Sequence, residues 1–415
     1  MKLLVHSSQI VTVNTNGKNI KRGEDFKDIG VLTDHAIIVE NDRIKDIVPN
    51  TSIKNPSKYD IIDVQDKVVL PGLVECHTHS AFAGSRADEF KLKLQGKTYE
   101  QIARSGGGII TTVNSVRNST CNELVKLLIP RIQYFISQGI TTLEIKSGYG
   151  LDLENELKLL EVINKMKSFF TIDIIPTFLG AHTYPPEFKE DHSGYIDLIT
   201  KKMLPEIAAK KLAKFCDAFC ERTAFSAEEV DIIFTKAKEL GFQLRLHAEQ
   251  FHNIGGLELA LDHETVSVDH LEIMTDKHVF KLAAFDIAAV LLPGVSFFLN
   301  CDYAPARKLI DHNAIVALST DFNPGSSHIP NLNFIMSLAA MKMEMTFEEV
   351  ISAVTINAAK AVLKNNEVGS IEIGKKADFA VFDASEYPEI IYNVGKNLNI
   401  MTIKNGKIIY QAPSK

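Results

Sequence analysis

The sequence predicts an α/β protein, a (β/α)8 TIM barrel carrying a small β-sandwich domain formed from both chain ends. Three observations predict it. Eight apolar strand candidates alternate with amphipathic runs between Val68 and Leu363, short strands crowd both termini, and the polar residues that interrupt the apolar runs fall at their carboxyl ends. Repeated strand–helix units give right-handed crossovers and a parallel sheet buried on both faces. A doubly wound open sheet would instead want a glycine phosphate fingerprint after its first strand, and none is there. Gly106-Gly107-Gly108 lacks the following Lys-Ser/Thr of a P-loop.

The barrel strands expected in order are Val68–Val74, Gly139–Ile145, Asp173–Leu179, Ala213–Cys220, Gln243–His247, Thr265–Asp269, Ala288–Val295 and Ala314–Ser319. Helical patterns lie between most of them: Asn122–Ser137, Leu153–Lys167, Tyr195–Lys211, Ala227–Leu240 and Gly255–Leu261. Ser226 ahead of Glu228 and Glu229 is an N-terminal capping signal. At the start, Leu3–Val13, Ala36–Glu40, Arg43–Val48 and Ile61–Val64 are strand-like. At the end, Asp378–Asp383 and Asn399–Gln411 repeat the pattern, the latter bent at the hairpin signal Asn405-Gly406. Neither terminal set is enough sheet to be stable alone, so the two should pair. The expected division is therefore 1–67 with 364–415 for the β domain, and 68–363 for the barrel.

Composition narrows the function. With 415 residues, 45% apolar and 23% charged, the chain excludes disorder, collagen-like repeats and coiled coil. The 45 Lys+Arg against 52 Asp+Glu leave a charge of −7, which argues against a nucleic-acid footprint. Five irregularly spaced cysteines read as thiols of a reducing compartment, and Cys216 and Cys220 have no second pair to complete a zinc ribbon. The N-terminus lacks a signal-peptide pattern. The longest apolar stretch, Ile287–Leu299, is broken by Pro293-Gly294 and too short to span a bilayer. The expectation is a cytoplasmic protein that engages neither membrane nor nucleic acid.

In a barrel of this kind the chemistry belongs at the carboxyl ends of the strands. The first run ends in Glu75-Cys76-His77-Thr78-His79, where positions i and i+2 face one side, so both imidazoles can reach one metal. The fifth ends Leu246-His247-Ala248-Glu249-Gln250, the sixth Val268-Asp269-His270-Leu271-Glu272, and the eighth Ser319-Thr320-Asp321-Phe322-Asn323-Pro324-Gly325. A lone histidine at a strand end is more often structural. Together the four mouths point to a metal-dependent hydrolase.

This constellation resembles the amidohydrolase superfamily over nearly the whole chain, including Asn357-Ala358-Ala359-Lys360-Ala361 and Gly369 to Phe379. Several longer strings resemble the imidazolonepropionases within it: His77 to Arg86, Ser105-Gly106-Gly107-Gly108-Ile109, Lys146-Ser147-Gly148-Tyr149-Gly150, Leu179-Gly180-Ala181-His182 and Ser319 to Ser326. The resemblance implies that His77, His79, His247 and Asp321 hold the metal and that His270 either supports a ligand from behind or is catalytic. It implies hydrolysis of the ring of 4-imidazolone-5-propanoate to N-formimidoyl-L-glutamate, in histidine degradation. Two-metal members bridge their ions with a carboxylated lysine or a carboxylate from strand three or four. No lysine stands at either mouth here, so one Zn2+ or Fe2+/Fe3+ per chain is expected, with Glu221 the one bridging alternative.

The expected substrate contacts are Arg86, Tyr149, His182, Gln250, Asn323, Gly325 and Ser326. Arg86 offers a planar, permanently charged fork for a carboxylate, and its bland alternative is an ion pair with Asp88 or Glu89. Gln250 stands where some family members have Glu, and an amide positions substrate but shuttles no proton, so proton transfer falls to Asp321 and His270. Glu249 beside it reads as a solvated or helix-capping charge. The expected partners are the small-molecule substrate and a second copy of the chain in a homodimer. The rival enzyme is an aminohydrolase of a purine or triazine ring, which needs no arginine aimed at a propionate. A catalytically silent binding relative would have lost ligands, and all four candidates are present.

Overall fold

The computed structural model of the chain describes residues 1–96 and 107–413, so Ser105 and Gly106 of the glycine string lie outside the described residues. In chain order the strands are β1 (Lys2–Val11), β2 (Val31–Leu32), β3 (His35–Glu40), β4 (Arg43–Pro49), β5 (Asp60–Pro71), β6 (Leu73–Glu75), β7 (Ile140–Lys146) and β8 (Asp173–Ala181). There follow β9 (Phe215–Phe219), β10 (Gln243–Ala248), β11 (Ser267–His270), β12 (Ala288–Leu291), β13 (Ile315–Leu318), β14 (Phe379–Phe382), β15 (Asn399–Lys404) and β16 (Lys407–Gln411). β6 to β13 form an eight-stranded sheet in sequential order, every pair parallel. The seam between β6 and β13 is closed by a parallel bridge from Thr78 to Phe322. It is also closed by Glu75, whose carboxylate accepts from the Ser319 hydroxyl and, at 3.2 Å, from Thr320 N–H. The result is the expected barrel.

Both chain ends build the second sheet, in the order β16-β15-β14-β5-β1-β3-β4 with β2 beside β1. β1 and β5 run parallel and the other pairs antiparallel. Here the expected first barrel strand divides. Val68 to Pro71 pair with Phe382 to Phe379 in this mixed sheet, and only Leu73–Glu75 enters the barrel. Gly72 makes the crossing feasible, because a Cβ there would stand 2.3 Å from Thr141 Oγ1. One continuous run of apolar residues thus serves two sheets.

Two further differences have local causes. The seventh barrel strand stops at Leu291, because Pro293 opens the helix Pro293–Leu299 from within its first turn. The amphipathic run after β8 is interrupted by a π turn at Ile199–Met203 just ahead of Pro205, which has no N–H to continue an α-helical ladder. Elsewhere the caps act as expected, with Ser226 and Glu229 forming a reciprocal capping box. All five thiols are free. Among the described residues no helix is long and apolar enough to cross a membrane.

The two sheets are tied where β15 meets the helix Cys121–Ser137. Thr402 Oγ1 donates to Ile136 O at 2.6 Å and Asn399 Nδ2 to Ser137 O at 3.0 Å. Beside them the fully buried Lys404 reaches Asp173 of β8 at 2.6 Å and Asp378 at 2.7 Å.

Candidate metal and substrate site

The strand pleat sends His77 and His79 to one side beyond β6, and the closed barrel brings His247 from β10 against them, its ring centroid 4.6 and 5.4 Å from theirs. His79 Nε2 lies 3.3 Å from His247 Nε2 and 3.3 Å from Asp321 Oδ1, and His77 Nε2 lies 3.4 Å from the same oxygen. Ligands bound at ~2.0–2.1 Å to a tetrahedral zinc stand about 3.3 Å apart. These three spacings match edges of such a tetrahedron, and the ligand atoms of His77, His79 and His247 lie within 4.8 Å of one another. His77 Nε2 and Asp321 Oδ1 are fully buried and have no hydrogen-bond partner. Buried polar atoms are rarely left that way, so the donor set fits a transition ion.

Outside this cluster the second ring nitrogens of His77 and His247 are held by carboxylates, while His79 Nδ1 is buried without a hydrogen-bond partner. His77 Nδ1 meets Asp269 Oδ2 at 2.6 Å, and that oxygen also accepts from Arg245 Nη2 at 2.8 Å. His247 Nδ1 meets Asp217 Oδ1 at 2.9 Å, while Asp217 Oδ2 and Glu144 Oε1 take the Lys146 ammonium at 2.8 and 3.0 Å. A carboxylate on Nδ1 fixes the tautomer that leaves Nε2 facing an ion and raises its basicity. Burial and the Arg245 charge lower the Lys146 pKa, but Asp217, Glu144 and Asp269 outweigh them and keep it an ammonium. Burial raises the Asp321 carboxyl, yet the imidazoles of His77 and His79 beside it outweigh burial and hold the group well below the usual range.

His270, at the end of β11, stands over the same cluster. Its ring centroid is 5.4 Å from that of His247 and 6.0 Å from that of His77, and Nδ1 lies 3.4 Å from Glu272 Oε1. Burial alone would lower its pKa, but Glu272 outweighs burial and raises it. His270, Asp321 and Glu249 all have positive φ, at 87°, 48° and 57°. Such conformations are uncommon outside glycine and tend to gather at functional sites.

The substrate candidates line the rest of the opening. Glu156 organises the strand-two mouth, its Oε1 accepting from the N–H groups of Gly148, Gly150 and Leu151 at 3.1, 2.7 and 3.0 Å. This sets the buried Tyr149 ring 5.4 Å from His182 and 6.0 Å from His79, and His182 stacks on His79 at 5.1 Å. His182 Nδ1 meets Gly148 O at 2.9 Å, and burial pulls its pKa down to about 3, so the ring is neutral. Gln250 is buried at the β10 mouth. Arg86 pairs with Glu89 and lies against Gly325, where a Cβ would stand 2.1 Å from its Nη1. Asn323 spends its amide on the turn itself: Oδ1 accepts from Gly325 and Ser326 N–H at 2.7 Å each, and Nδ2 donates to Asp321 Oδ2 at 3.0 Å. Its role in this structure is to steady Asp321 and shape the loop that carries Ser326.

One sequence expectation is corrected, and of the two readings of Glu249 the helix-capping one holds. Glu249 is buried, its Oε1 accepts from Leu257 N–H in the first turn of the next helix, and burial pushes its pKa up to about 7. Glu221 does not face the cluster of imidazoles with a spare oxygen. Oε2 accepts from Phe251 and His252 N–H at 3.0 Å each, and Oε1 takes His252 Nδ1 at 2.6 Å. It anchors the loop that presents Gln250.

The sequence profile of the Amidohydrolase family matches residues 68–409. Imidazolonepropionase from Alkaliphilus oremlandii is 43% identical over 408 residues, covering 97% of this chain and 96% of that protein. Imidazolonepropionase from Fusobacterium nucleatum is 40% identical over 412 residues, covering 99% and 98%. The chain belongs to the imidazolonepropionase family of amidohydrolases. Solved structures share the fold at low identity. They include a zinc-bound adenosine deaminase from Xanthomonas campestris at a TM-score of 0.71 and 16% identity, covering 99% of this chain and 92% of that one. A zinc-complexed atrazine chlorohydrolase from Arthrobacter aurescens reaches 0.72 at 13%, covering 99% and 95%.

Sequence reading of this imidazolonepropionase-family chain missed the charged layer beneath the site: Glu144, Lys146, Asp217 and Arg245. The signal was present. Each sits inside an otherwise apolar strand, at even spacing from an inward-facing neighbour, as Arg245 is to His247. A charge fully buried on the inner face of a barrel strand has to be paired.

Proposed function

We propose that this hydrolase adds water across a ring C–N bond of 4-imidazolone-5-propanoate, giving N-formimidoyl-L-glutamate in histidine degradation. One zinc or iron ion per chain would be held by His77, His79, His247 and Asp321. The observation that carries the reading is the convergence of those four ligand atoms, with three of their separations at 3.3–3.4 Å and the three imidazole nitrogens within 4.8 Å of one another. Such an ion supplies Lewis acidity, lowering the pKa of water toward ~7. The rest is done by the chain. Asp321, kept ionised by its two imidazoles, accepts a proton from the attacking water and hands it toward the departing ring nitrogen. His270, with its pKa raised by Glu272, is the donor placed for charge developing on the ring oxygen. Tyr149 and neutral His182 flank the ring, Gln250 and Ser326 orient it, and Arg86 takes the propionate above Gly325.

A single ion is favoured because the one bridging alternative, Glu221, is already used and the only lysine buried beneath the site, among the described residues, is paired. Lys146 is a paired ammonium and Glu221 is spent on the Gln250 loop. Donor softness does not separate zinc from iron. The same reading makes the chain a cytoplasmic homodimer, which light scattering on the purified protein tests. The activity is tested on a panel of ring substrates with the metal-loaded enzyme. 4-Imidazolone-5-propanoate should be consumed with formation of N-formimidoyl-L-glutamate, while adenosine and triazines should be left untouched. Turnover of a purine or triazine in preference to the imidazolone would favour the rival aminohydrolase.

A further inference from the structure

We infer that Glu89 is a positioning residue for substrate specificity, acting through Arg86. The inference rests on the proposed contact between Arg86 and the propionate. Arg86 leads directly into the helix Ala87–Leu94, and Glu89 lies in that helix's first turn. Oε2 of Glu89 takes one edge of the guanidinium, 2.8 Å from Nε and 2.7 Å from Nη2. Its Oε1 accepts from Gly108 N–H at 2.9 Å, the residue that precedes the helix Ile109–Asn118. The third nitrogen, Nη1, lies over Gly325, where a Cβ would stand 2.1 Å from it. Four segments thus meet at one ion pair: the loop leaving β6, the start of the helix Ala87–Leu94, the residue ahead of the helix Ile109–Asn118, and the loop after β13.

The pair is not a solvated surface contact. The two side chains are only 11% and 14% exposed. A guanidinium so enclosed needs a partner in the empty enzyme, and a carboxylate on a helix supplies one with little freedom to move. A planar fork has more than one edge, so a carboxylate on the Nε–Nη2 edge still leaves Nη1 for a second acid. Glu89 therefore decides which edge faces the substrate. A plain electrostatic role makes the opposite prediction, since a neighbouring anion should repel the propionate and its removal should tighten binding.

Steady-state kinetics on Glu89→Ala, Glu89→Gln, Arg86→Met and the double variant Glu89→Ala/Arg86→Met separate these. Glu89→Ala should raise KM about tenfold, the scale of one weakened charge-assisted bond, with kcat within about twofold of the parent. Glu89→Gln, which keeps an acceptor for Nε, should recover part of that loss. In the Arg86→Met background, Glu89→Ala should add nothing, and neither should it alter turnover of an analogue lacking the propionate. An unchanged or lower KM in Glu89→Ala, or a full additional loss in the double variant, overturns the inference. If Arg86→Met itself leaves KM unchanged, the propionate assignment fails instead. A loss confined to kcat means that Glu89 supports the fold and not the fork.

Discussion

At the scale of single residues, His270 and Asp269 are neighbours in sequence with opposite expected consequences. Asp269 touches His77 directly, so Asp269→Asn should weaken metal affinity by about 10–100-fold while leaving the fold intact. His270 also has a ring nitrogen within 4.8 Å of ligand atoms of His77 and Asp321, but the proposed set of four ligands is complete without it. His270→Ala should therefore keep its metal and lose about 10²–10⁴ in kcat. Chelator competition alongside turnover measures both, and metal loss in His270→Ala would make that residue a ligand. The five histidine and aspartate candidates of the cluster were legible because each interrupts an apolar run at its carboxyl end. Their partners were harder to read. Asp217 and Lys146 lie within runs that look like ordinary strand, and only the barrel registry shows that one reaches the other at 2.8 Å. Glu249 was legible as a helix-capping charge but not as a buried one, since nothing in its neighbours indicates the left-handed backbone found there.

At the scale of elements, the loops matter more than the strands. Glu156 sits in the first turn of the helix Leu153–Met166, where a sequence places acidic residues for capping. It is instead fully buried and binds three N–H groups of the Gly148–Leu151 loop. Glu156→Gln would turn an amide donor toward those N–H groups. The expected cost is about 1–3 kcal/mol of stability, with a raised KM as Tyr149 and His182 lose their setting. Urea unfolding and kinetics on the same variant check both, and an unchanged KM would show that the loop holds its shape without Glu156. Strand and helix types were legible from period alone. Boundaries were not: Gly72 divides one apolar run between two sheets, and Pro293 ends a strand that hydropathy extends to Val295. Both outcomes depend on what the run packs against.

At the scale of the whole molecule, the pairing of the two chain ends was legible because neither end carries enough sheet alone. The buried charge that ties this sheet to the barrel was not. Burial lowers the Lys404 pKa, but Asp378 and Asp173 outweigh it and raise it above the usual lysine value. A cation with a raised folded-state pKa contributes stability that is fully present below its unfolded value of ~10.4 and is lost as pH rises through the folded one. Stability should therefore fall on the alkaline side above about pH 10, and Lys404→Met should flatten that limb. The substitution leaves two carboxylates unpaired at the junction and should cost about 3–5 kcal/mol, read by denaturant unfolding. A loss below about 1 kcal/mol would mean that the junction rests on Thr402, Asn399 and apolar packing instead.

The central claim is a single-ion hydrolase acting on 4-imidazolone-5-propanoate. It is tested most directly by titrating metal-free protein with zinc or ferrous iron while following loss of the substrate's ring absorbance. The predicted result is a rate that climbs linearly to one equivalent per chain and then stays flat, with N-formimidoyl-L-glutamate as the product. A rate that keeps rising to two equivalents, or a substrate that persists at full metal loading, would contradict it.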